Sequence, residues 1–195
     1  VRTEILITAL IGMTLFGEHV AVQGWLAMLA CVSGLVLITL ANSGKLSDLL
    51  STSSLYGLGA GGAFSLTSLM IREASLSFKM NDAVFTAALT LAYMIVVQTL
   101  ISLFMLAIVN AAEYRTIMRR RRASLFVGAT SVVGSVGWFT AFTLEKAAYV
   151  KTLGQFEVLL SMVISIFFFR ERPVKREVWG MIILVCGIIM LLLSH

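Results

Sequence analysis

Seven long apolar segments, separated by short polar connections, make up most of this chain and restrict what it can fold into. The segments are 3–17, 24–41, 55–71, 83–109, 124–144, 147–169 and 178–194. A helix of about 20 apolar residues crosses the hydrocarbon core of a bilayer. Hydrophobic residues form 59% of the chain and charged residues 13%, whereas soluble domains carry about 25% charged residues. The polar surface is too small to cover a soluble core, so the sequence predicts an integral membrane protein.

The membrane spans are predicted to be α-helices. Backbone groups within a bilayer must find their hydrogen bonds inside the protein, and the sequence lacks the alternating pattern of a transmembrane β-barrel. We therefore predict an all-α integral membrane fold, a bundle of seven transmembrane helices. The net charge of +5 comes from basic residues between the apolar segments, where they set orientation in the bilayer. The expected surroundings are the lipid bilayer, and no nucleic-acid partner is expected.

An internal repeat relates the two ends of the chain. A shift of 153 residues places Glu4 on Glu157 and Glu18 on Glu171, and the matches continue into the following span, where Gly34 meets Gly187. Weak symmetry of this kind is typical of transporters built from structural repeats. It argues against a receptor or a retinal protein, although those also have seven spans.

The repeat predicts how the chain is divided. Residues 1–41 would form the C-terminal part of a first repeat, 42–54 a linker, and 55–194 a second repeat of five helices. An odd number of spans in each repeat makes the two halves run in opposite directions. The seven spans would then correspond to helices four to ten of a ten-helix transporter with inverted repeats, so we expect the chain to be truncated at its N-terminus.

Several motifs resemble those of one transporter family. The paired acids of "E…FGE" (Glu4 to Glu18) and "GQFE…FFFRE" (Gly154 to Glu171) are similar to those of EamA-type transporters of the drug/metabolite transporter superfamily. The glycine-bearing spans GWLAMLACVSGLVLI and VWGMIILVCGIIMLLL, one after each motif, strengthen the resemblance. It covers essentially the whole chain, as the C-terminal two thirds of such a protein. The proline that often follows the mid-helix acid in this family is replaced by Val158 and Ile5.

The resemblance implies ten helices in two inverted repeats around a central cavity that opens to one side at a time. It also implies a secondary carrier, often an exporter of amino acids or other metabolites, with both termini in the cytoplasm. The loop charges indicate the opposite placement of the C-terminus. Most basic loop residues, including Arg119 to Arg122, lie on the side opposite His195, and the positive-inside rule makes that side cytoplasmic. We expect a multi-pass protein of the bacterial inner membrane.

Glu157 is the strongest candidate for a functional residue. It lies near the middle of an apolar span, where a charged side chain costs about 2.5–3.5 kcal/mol on insertion scales. Acids at such depth usually face the bundle interior or water, on a substrate or proton pathway. The alternative is a protonated acid hydrogen-bonded to a neighbouring helix. Glu4 occupies the equivalent position in the other repeat, and the two carboxylates could alternate in protonation.

Lys151 and Gln155 complete the predicted substrate- or proton-binding set. They are four residues apart and share a helix face, whereas Gln155 and Glu157 do not. Lys151 could contact substrate or an anion, but a lysine that extends its ammonium to the membrane interface is the alternative we favour. Gln155 could face the cavity or bond to a neighbouring helix.

Small residues are predicted to allow close helix packing. These residues are Gly57, Gly61, Gly128, Ser131, Gly34 and Gly187. Small residues spaced four apart let transmembrane helices approach each other closely. Glu18 and Glu171, at the membrane edges, are expected to cap helices or to pair with Arg170 and Arg172, where solvated pairs contribute little.

The predicted function is secondary active transport of a small metabolite such as an amino acid. We expect export by alternating access, with coupling to protons through Glu157; simple facilitated exchange is the alternative driving mode. The alternative is a non-transporting membrane remnant or scaffold of the same fold. The sequence contains no nucleophile–base pair and no metal-ligand spacing, so we expect neither an enzyme nor a cofactor nor a metal site. The substrate and the oligomeric state do not follow from the sequence.

Overall fold

The computed structural model describes residues 4–43, 52–109, 121–170 and 173–193, and within these ranges the regular structure is helical, without a strand. The helices are α1 (Glu4–Leu15), α2 (Val22–Ser43), α3 (Thr52–Ser77), α4 (Ala83–Val109), α5 (Arg121–Leu144), α6 (Ala147–Gly154), α7 (Phe156–Phe168) and α8 (Lys175–Leu192). Because α6 and α7 follow each other directly, the helices occupy the seven predicted segments. The predicted all-α class is confirmed.

Four stretches in the described ranges are long and apolar enough to cross a membrane. They are Val22–Ala41, Ala83–Ile108, Arg121–Leu144 and Ala147–Phe168, the last comprising α6 and α7 together. The apolar helix α1 is shorter. Neither α8 nor α3 is among these four stretches. Helix α8 carries three charged residues in its first turn, Lys175, Arg176 and Glu177, and α3 is rich in glycine and serine.

The chain forms two compact units. One contains Val1–Met70 and Glu145–His195, and the other contains Ile71–Leu144. The boundary between them falls inside helix α3, which continues from Met70 to Ile71 without interruption. We call them the first and the second unit below.

The second unit is built on the packing of α4 against α5. Ala87, Leu91 and Phe139 form its buried cluster. Asp82 begins α4, since its Oδ1 accepts hydrogen bonds from the backbone N–H groups of Val84 and Phe85, as N-cap carboxylates do. Most other side chains of α4 and α5 are exposed and apolar, which suits helices surrounded by lipid.

Gly128 and Ser131, on α5, do not lie at a helix contact. Both are exposed, and a Cβ added to Gly128 would meet no atom within 4 Å. The predicted packing role of this small-residue pair is therefore wrong for the described part of the chain. Small residues permit a close approach, but a facing helix must also be present.

The first unit is built on the crossing of α2 and α8, its most extensive helix contact. A Cβ on Gly34 would lie 2.7 Å from the carbonyl oxygen of Gly180, and one on Gly187 would lie 2.9 Å from the backbone nitrogen of Cys31. Both positions require glycine, since real Cβ atoms do not approach backbone so closely. The core beside the crossing consists of Ile5, Ala9, Met28, Cys31, Val32, Leu35, Ile38, Ala148, Leu159, Leu184 and Ile188.

Helix α1 ends in a turn that brings Glu18 back onto the helix. Gly17 has a φ of +64°, a left-handed conformation that glycine adopts without steric cost. The N–H of Glu18 donates to the carbonyl of Gly12 at 2.9 Å, and a Cβ on Gly12 would lie 2.8 Å from Oε2 of Glu18. Glu18 therefore packs on the end of its own helix. Its repeat equivalent Glu171, and the neighbouring Arg172, lie outside the described residues.

The span predicted over 147–169 is interrupted near its centre. Gln155 separates α6 from α7. On either side of it lies a backbone hydrogen bond between residues three apart: its N–H donates to the carbonyl of Thr152 at 3.2 Å, and the N–H of Val158 donates to the carbonyl of Gln155 at 3.0 Å. Such short bonds tighten the helix locally. The interruption forms although the chain lacks a proline at this point.

Candidate functional site

An ion pair between a buried lysine and a partly buried glutamate connects α6 to α1. The side chain of Lys151 is only 4% exposed, and its Nζ lies 4.0 Å from Oε2 of Glu4, which is 25% exposed. The ammonium therefore does not extend to an aqueous edge, and the interfacial placement that the sequence favoured for Lys151 is wrong. Lys151 lies in the last turn of α6, where the negative end of the helix dipole favours a cation.

The ammonium of Lys151 has no hydrogen-bond partner among the described residues. An ammonium carries three N–H donors, and charge-assisted bonds to carboxylate oxygens are about 2.7–2.9 Å long. The separation of 4.0 Å from Glu4 is longer than that. The pair is therefore electrostatic, and the donors of Lys151 remain available.

The aromatic ring of Phe64, on α3, covers the ammonium. Its centroid is 5.0 Å from Nζ of Lys151, within the range of a cation–π interaction. Phe64 itself is 66% exposed. An exposed aromatic ring thus lies over one side of the buried ammonium.

Two buried hydroxyl groups hold the backbone of Glu4. Thr8 Oγ1 lies 2.7 Å from the carbonyl oxygen of Glu4, and Ser65 Oγ lies 3.1 Å from it. The two hydroxyl oxygens are 2.8 Å apart, and Ser65 Oγ also lies 2.8 Å from the carbonyl oxygen of Gly61. Thr8 and Ser65 join α1 to α3, so the backbone of Glu4 is held at this helix contact. Gly61 is buried at this contact and Gly57, one turn earlier, is half-buried.

Gln155 connects the helix interruption to the ion pair. Its side chain is 8% exposed, and its Nε2 donates to the carbonyl of Lys151 at 3.4 Å. In a continuous α-helix that carbonyl would accept the N–H of residue 155, which here donates to Thr152. The side-chain amide thus takes the place of the backbone N–H. Lys151 and Gln155 share a buried face, as their spacing predicts.

The comparisons with known proteins agree with this architecture. The model of the EamA-like transporter family matches residues 51–193, most of the chain. The chain belongs to this family. Comparison with curated proteins and with solved structures gives no significant match. The protein is accordingly a membrane transporter of the drug/metabolite type. Lys151, Gln155, Phe64 and Ser65 lie inside the EamA-like match, and Glu4 precedes it.

Glu157 is placed apart from this cluster. Its side chain is exposed, in the first turn of α7. Its backbone carbonyl accepts a hydrogen bond from Ser161, but within the described ranges its carboxylate has no hydrogen bond or ion pair. Among the described residues, the Glu157 side chain therefore neither faces the interior of the helix bundle nor forms a hydrogen bond to a neighbouring helix. The acid sits between exposed apolar side chains, Phe156 and Leu160 among them.

The structure brings together three of the four predicted residues and adds three that the sequence analysis missed. Glu4, Lys151 and Gln155 lie together, and the additional members are Thr8, Phe64 and Ser65. A weak signal for two of these was present in the sequence. Thr8 follows Glu4 by four residues, and Ser65 follows Gly61 by four, so each shares a helix face with a residue already singled out.

Proposed function

We propose that this transporter is a secondary carrier that exports a small metabolite, such as an amino acid, by alternating access. The observation that supports this most directly is the Lys151–Glu4 pair beside the interruption at Gln155. Charged residues within membrane spans mark substrate or ion pathways. Transporter sites are typically formed where a transmembrane helix is discontinuous.

Energetics also favour a functional role for the pair. Burying two charges costs several kcal/mol for each ion, and apolar residues of similar volume are often equally stable or more so. Among the described residues, nothing accepts a hydrogen bond from the buried ammonium of Lys151 to compensate that cost. A scaffold would gain little from such an arrangement, whereas a carrier needs charged groups that can exchange partners.

We assign proton binding to Glu157 and Glu4. An ionised carboxylate facing lipid at mid-span costs about 2.5–3.5 kcal/mol on insertion scales, so exposed Glu157 is expected to be protonated or to face water at some stage of the cycle. Glu4 can lose and regain Lys151 as its partner. Proton coupling of this kind suits a bacterial inner membrane, which carries a proton gradient.

Alternating access would move two repeats against each other, 1–41 and 55–194, joined by the linker 42–54. Two observations support this division. The family match begins at residue 51, close to the proposed start of the second repeat. Equivalent residues also make equivalent contacts where α2 crosses α8. Gly34 contacts Gly180 and Leu184, and Gly187 contacts Ala27 and Cys31. The shift of 153 residues converts the first set of contacts into the second.

A counterflow assay with the full chain in proteoliposomes tests the proposal. Vesicles are loaded in turn with amino acids, amines, carboxylates, sugars and nucleosides, and uptake of the labelled compound is measured against protein-free vesicles. We expect accumulation for at least one compound class, and a response to an imposed pH gradient. Absence of counterflow for every compound, with correctly inserted protein, would contradict a carrier function.

A further inference from the structure

Helix α5 begins with two arginines whose side chains are not used inside the second unit. Arg121 and Arg122 are exposed, and among the described residues neither guanidinium has a hydrogen bond or an ion pair. They end a run of four arginines, Arg119 to Arg122, whose first two members lie outside the described residues. Basic residues at the end of a membrane span attract anionic lipid, and a guanidinium can bind a phosphate group through two parallel N–H donors.

An open groove of about 410 Å³ extends from these arginines along the side of α5. It is lined by Arg121, Arg122, Leu125, Phe126 and Ala129, residues that recur about every four positions and therefore share one side of the helix. At 1.5 Å per residue, Ala129 lies about 12 Å from Arg121 along the helix axis. Leu125 and Phe126 are 73% and 72% exposed. The groove is thus cationic at the helix end and apolar toward the middle of the span.

The described acids of the second unit lie near the other end of α5. They are Glu73 and Asp82. Glu73 follows Arg72, which donates to the carbonyl of Phe142 at 2.7 Å, and Asp82 begins α4, whose first part packs against the same end of α5. Phe142 is about 30 Å along the helix from the start of α5. The positive charge at the groove is therefore not neutralised by these acids, and an anionic partner can bind there.

We propose that this groove binds an anionic phospholipid, with its headgroup phosphate on Arg121 and Arg122 and an acyl chain along Leu125, Phe126 and Ala129. The groove and the lipid have the same order of polarity, with charge at the membrane surface and hydrocarbon below it. An acidic peptide or a free phosphate matches the arginines alone and leaves the apolar part uncovered. A zwitterionic lipid adds a cationic group that the arginines repel. The proposal requires that α5 crosses the membrane, and it is independent of substrate and proton coupling.

Native mass spectrometry of the full chain in detergent tests the proposal. The protein is titrated with phosphatidylglycerol and with phosphatidylcholine of the same acyl chains, and the dissociation constant of the first bound lipid is determined for each. Attraction to anionic lipid corresponds to about a 5-fold change in affinity for each arginine, so two arginines predict a preference of about 25-fold for phosphatidylglycerol. Glycerophosphoglycerol, the same headgroup without acyl chains, should not bind at these concentrations.

A pair of double variants separates the groove from positive charge in general. Arg121→Gln with Arg122→Gln should remove the preference for phosphatidylglycerol. Lys175→Gln with Arg176→Gln removes the same charge from the exposed start of α8 and should keep the preference. All four side chains are exposed, so both proteins should fold, and circular dichroism checks this.

A second pair of variants tests the apolar part of the groove without changing the charge. Ala129→Phe fills the groove below the arginines and should weaken the binding of phosphatidylglycerol several-fold. Val127→Phe adds the same ring at an exposed position that does not line the groove, and it should bind the lipid as the wild type does.

Equal dissociation constants for the two lipids in the wild type would overturn the proposal. An unchanged preference in the arginine double variant, an equal loss in the α8 double variant or unchanged binding in Ala129→Phe would overturn it as well. Binding of glycerophosphoglycerol as tight as that of the lipid would show a site for phosphate alone, which contradicts a lipid site. None of these measurements involves transport, so each outcome leaves the carrier function to its own test.

Discussion

The thiol of Cys31 donates to the backbone carbonyl of Leu184 at 3.8 Å, and the shift of 153 residues places these two residues in equivalent positions of the repeat. The same shift converts the contacts that Gly34 of α2 makes with α8 into those that Gly187 of α8 makes with α2. Gly34 meets Gly180 and Leu184, while Gly187 meets Ala27 and Cys31, and each contact of the first set corresponds to one of the second. Residues with higher numbers on α2 contact residues with lower numbers on α8, so the two helices are antiparallel. Inverted repeats predict this arrangement.

Gly34 and Gly187 should therefore be equally sensitive to substitution. Gly34→Ala and Gly187→Ala each place a Cβ within 3.0 Å of backbone atoms, so α2 and α8 must move apart. We expect each to destabilise the protein by about 1–3 kcal/mol, the usual range for overpacking. Thermal unfolding in detergent, followed by circular dichroism, measures the effect.

The control for that comparison is Gly128→Ala, where the added Cβ meets no atom within 4 Å. This variant should unfold at the wild-type temperature or slightly above it, since alanine favours a helix over glycine. A stability loss at Gly128 as large as that at Gly34 would show that the α2–α8 crossing is not the special contact.

The hydrogen bond between Thr8 and Ser65 should contribute to stability by joining α1 to α3. Thr8→Val and Ser65→Ala each remove one hydroxyl of the 2.8 Å pair. Hydrogen bonds between transmembrane helices average about 0.6 kcal/mol and reach about 1.7 kcal/mol in double-mutant cycles, and we expect a coupling in that range. Thr67→Val, which alters an exposed hydroxyl bonded within its own helix, should show no coupling to Thr8→Val.

Sequence reasoning predicted the helices and the shared face of Lys151 and Gln155, because these depend on hydropathy and on spacing along one helix. It did not predict that Lys151 is the partner of Glu4. Spacing tells which residues share a face, but not which other helix covers that face. The same limit explains why Gly34 and Gly187 lie at a crossing whereas Gly128, in an equally favourable pattern, does not.

Phe64 should control how fast reagents reach Lys151. In Phe64→Ala the ring that covers the ammonium is removed, so an amine-reactive label should modify Lys151 several-fold faster, as measured by mass spectrometry of the labelled peptide. Stability should fall by no more than about 2 kcal/mol, the upper range of a cation–π contact. Phe126→Ala, at another exposed phenylalanine, should leave the labelling rate unchanged. An unchanged rate in Phe64→Ala would show that the ring does not limit access.

Glu157→Gln should separate proton coupling from folding. The carboxylate has no hydrogen bond or ion pair within the described ranges, so the amide should leave the unfolding temperature and membrane insertion unaltered. If Glu157 carries the proton, counterflow of substrate should persist, because exchange needs no net proton movement. Accumulation driven by a pH gradient should be lost, because the amide cannot take up and release a proton. Both rates are measured in the same proteoliposomes, with Glu73→Gln, an exposed acid at another position, as the control. Gradient-driven accumulation at the wild-type level in Glu157→Gln would exclude this acid as the coupling group and leave Glu4 as the remaining candidate.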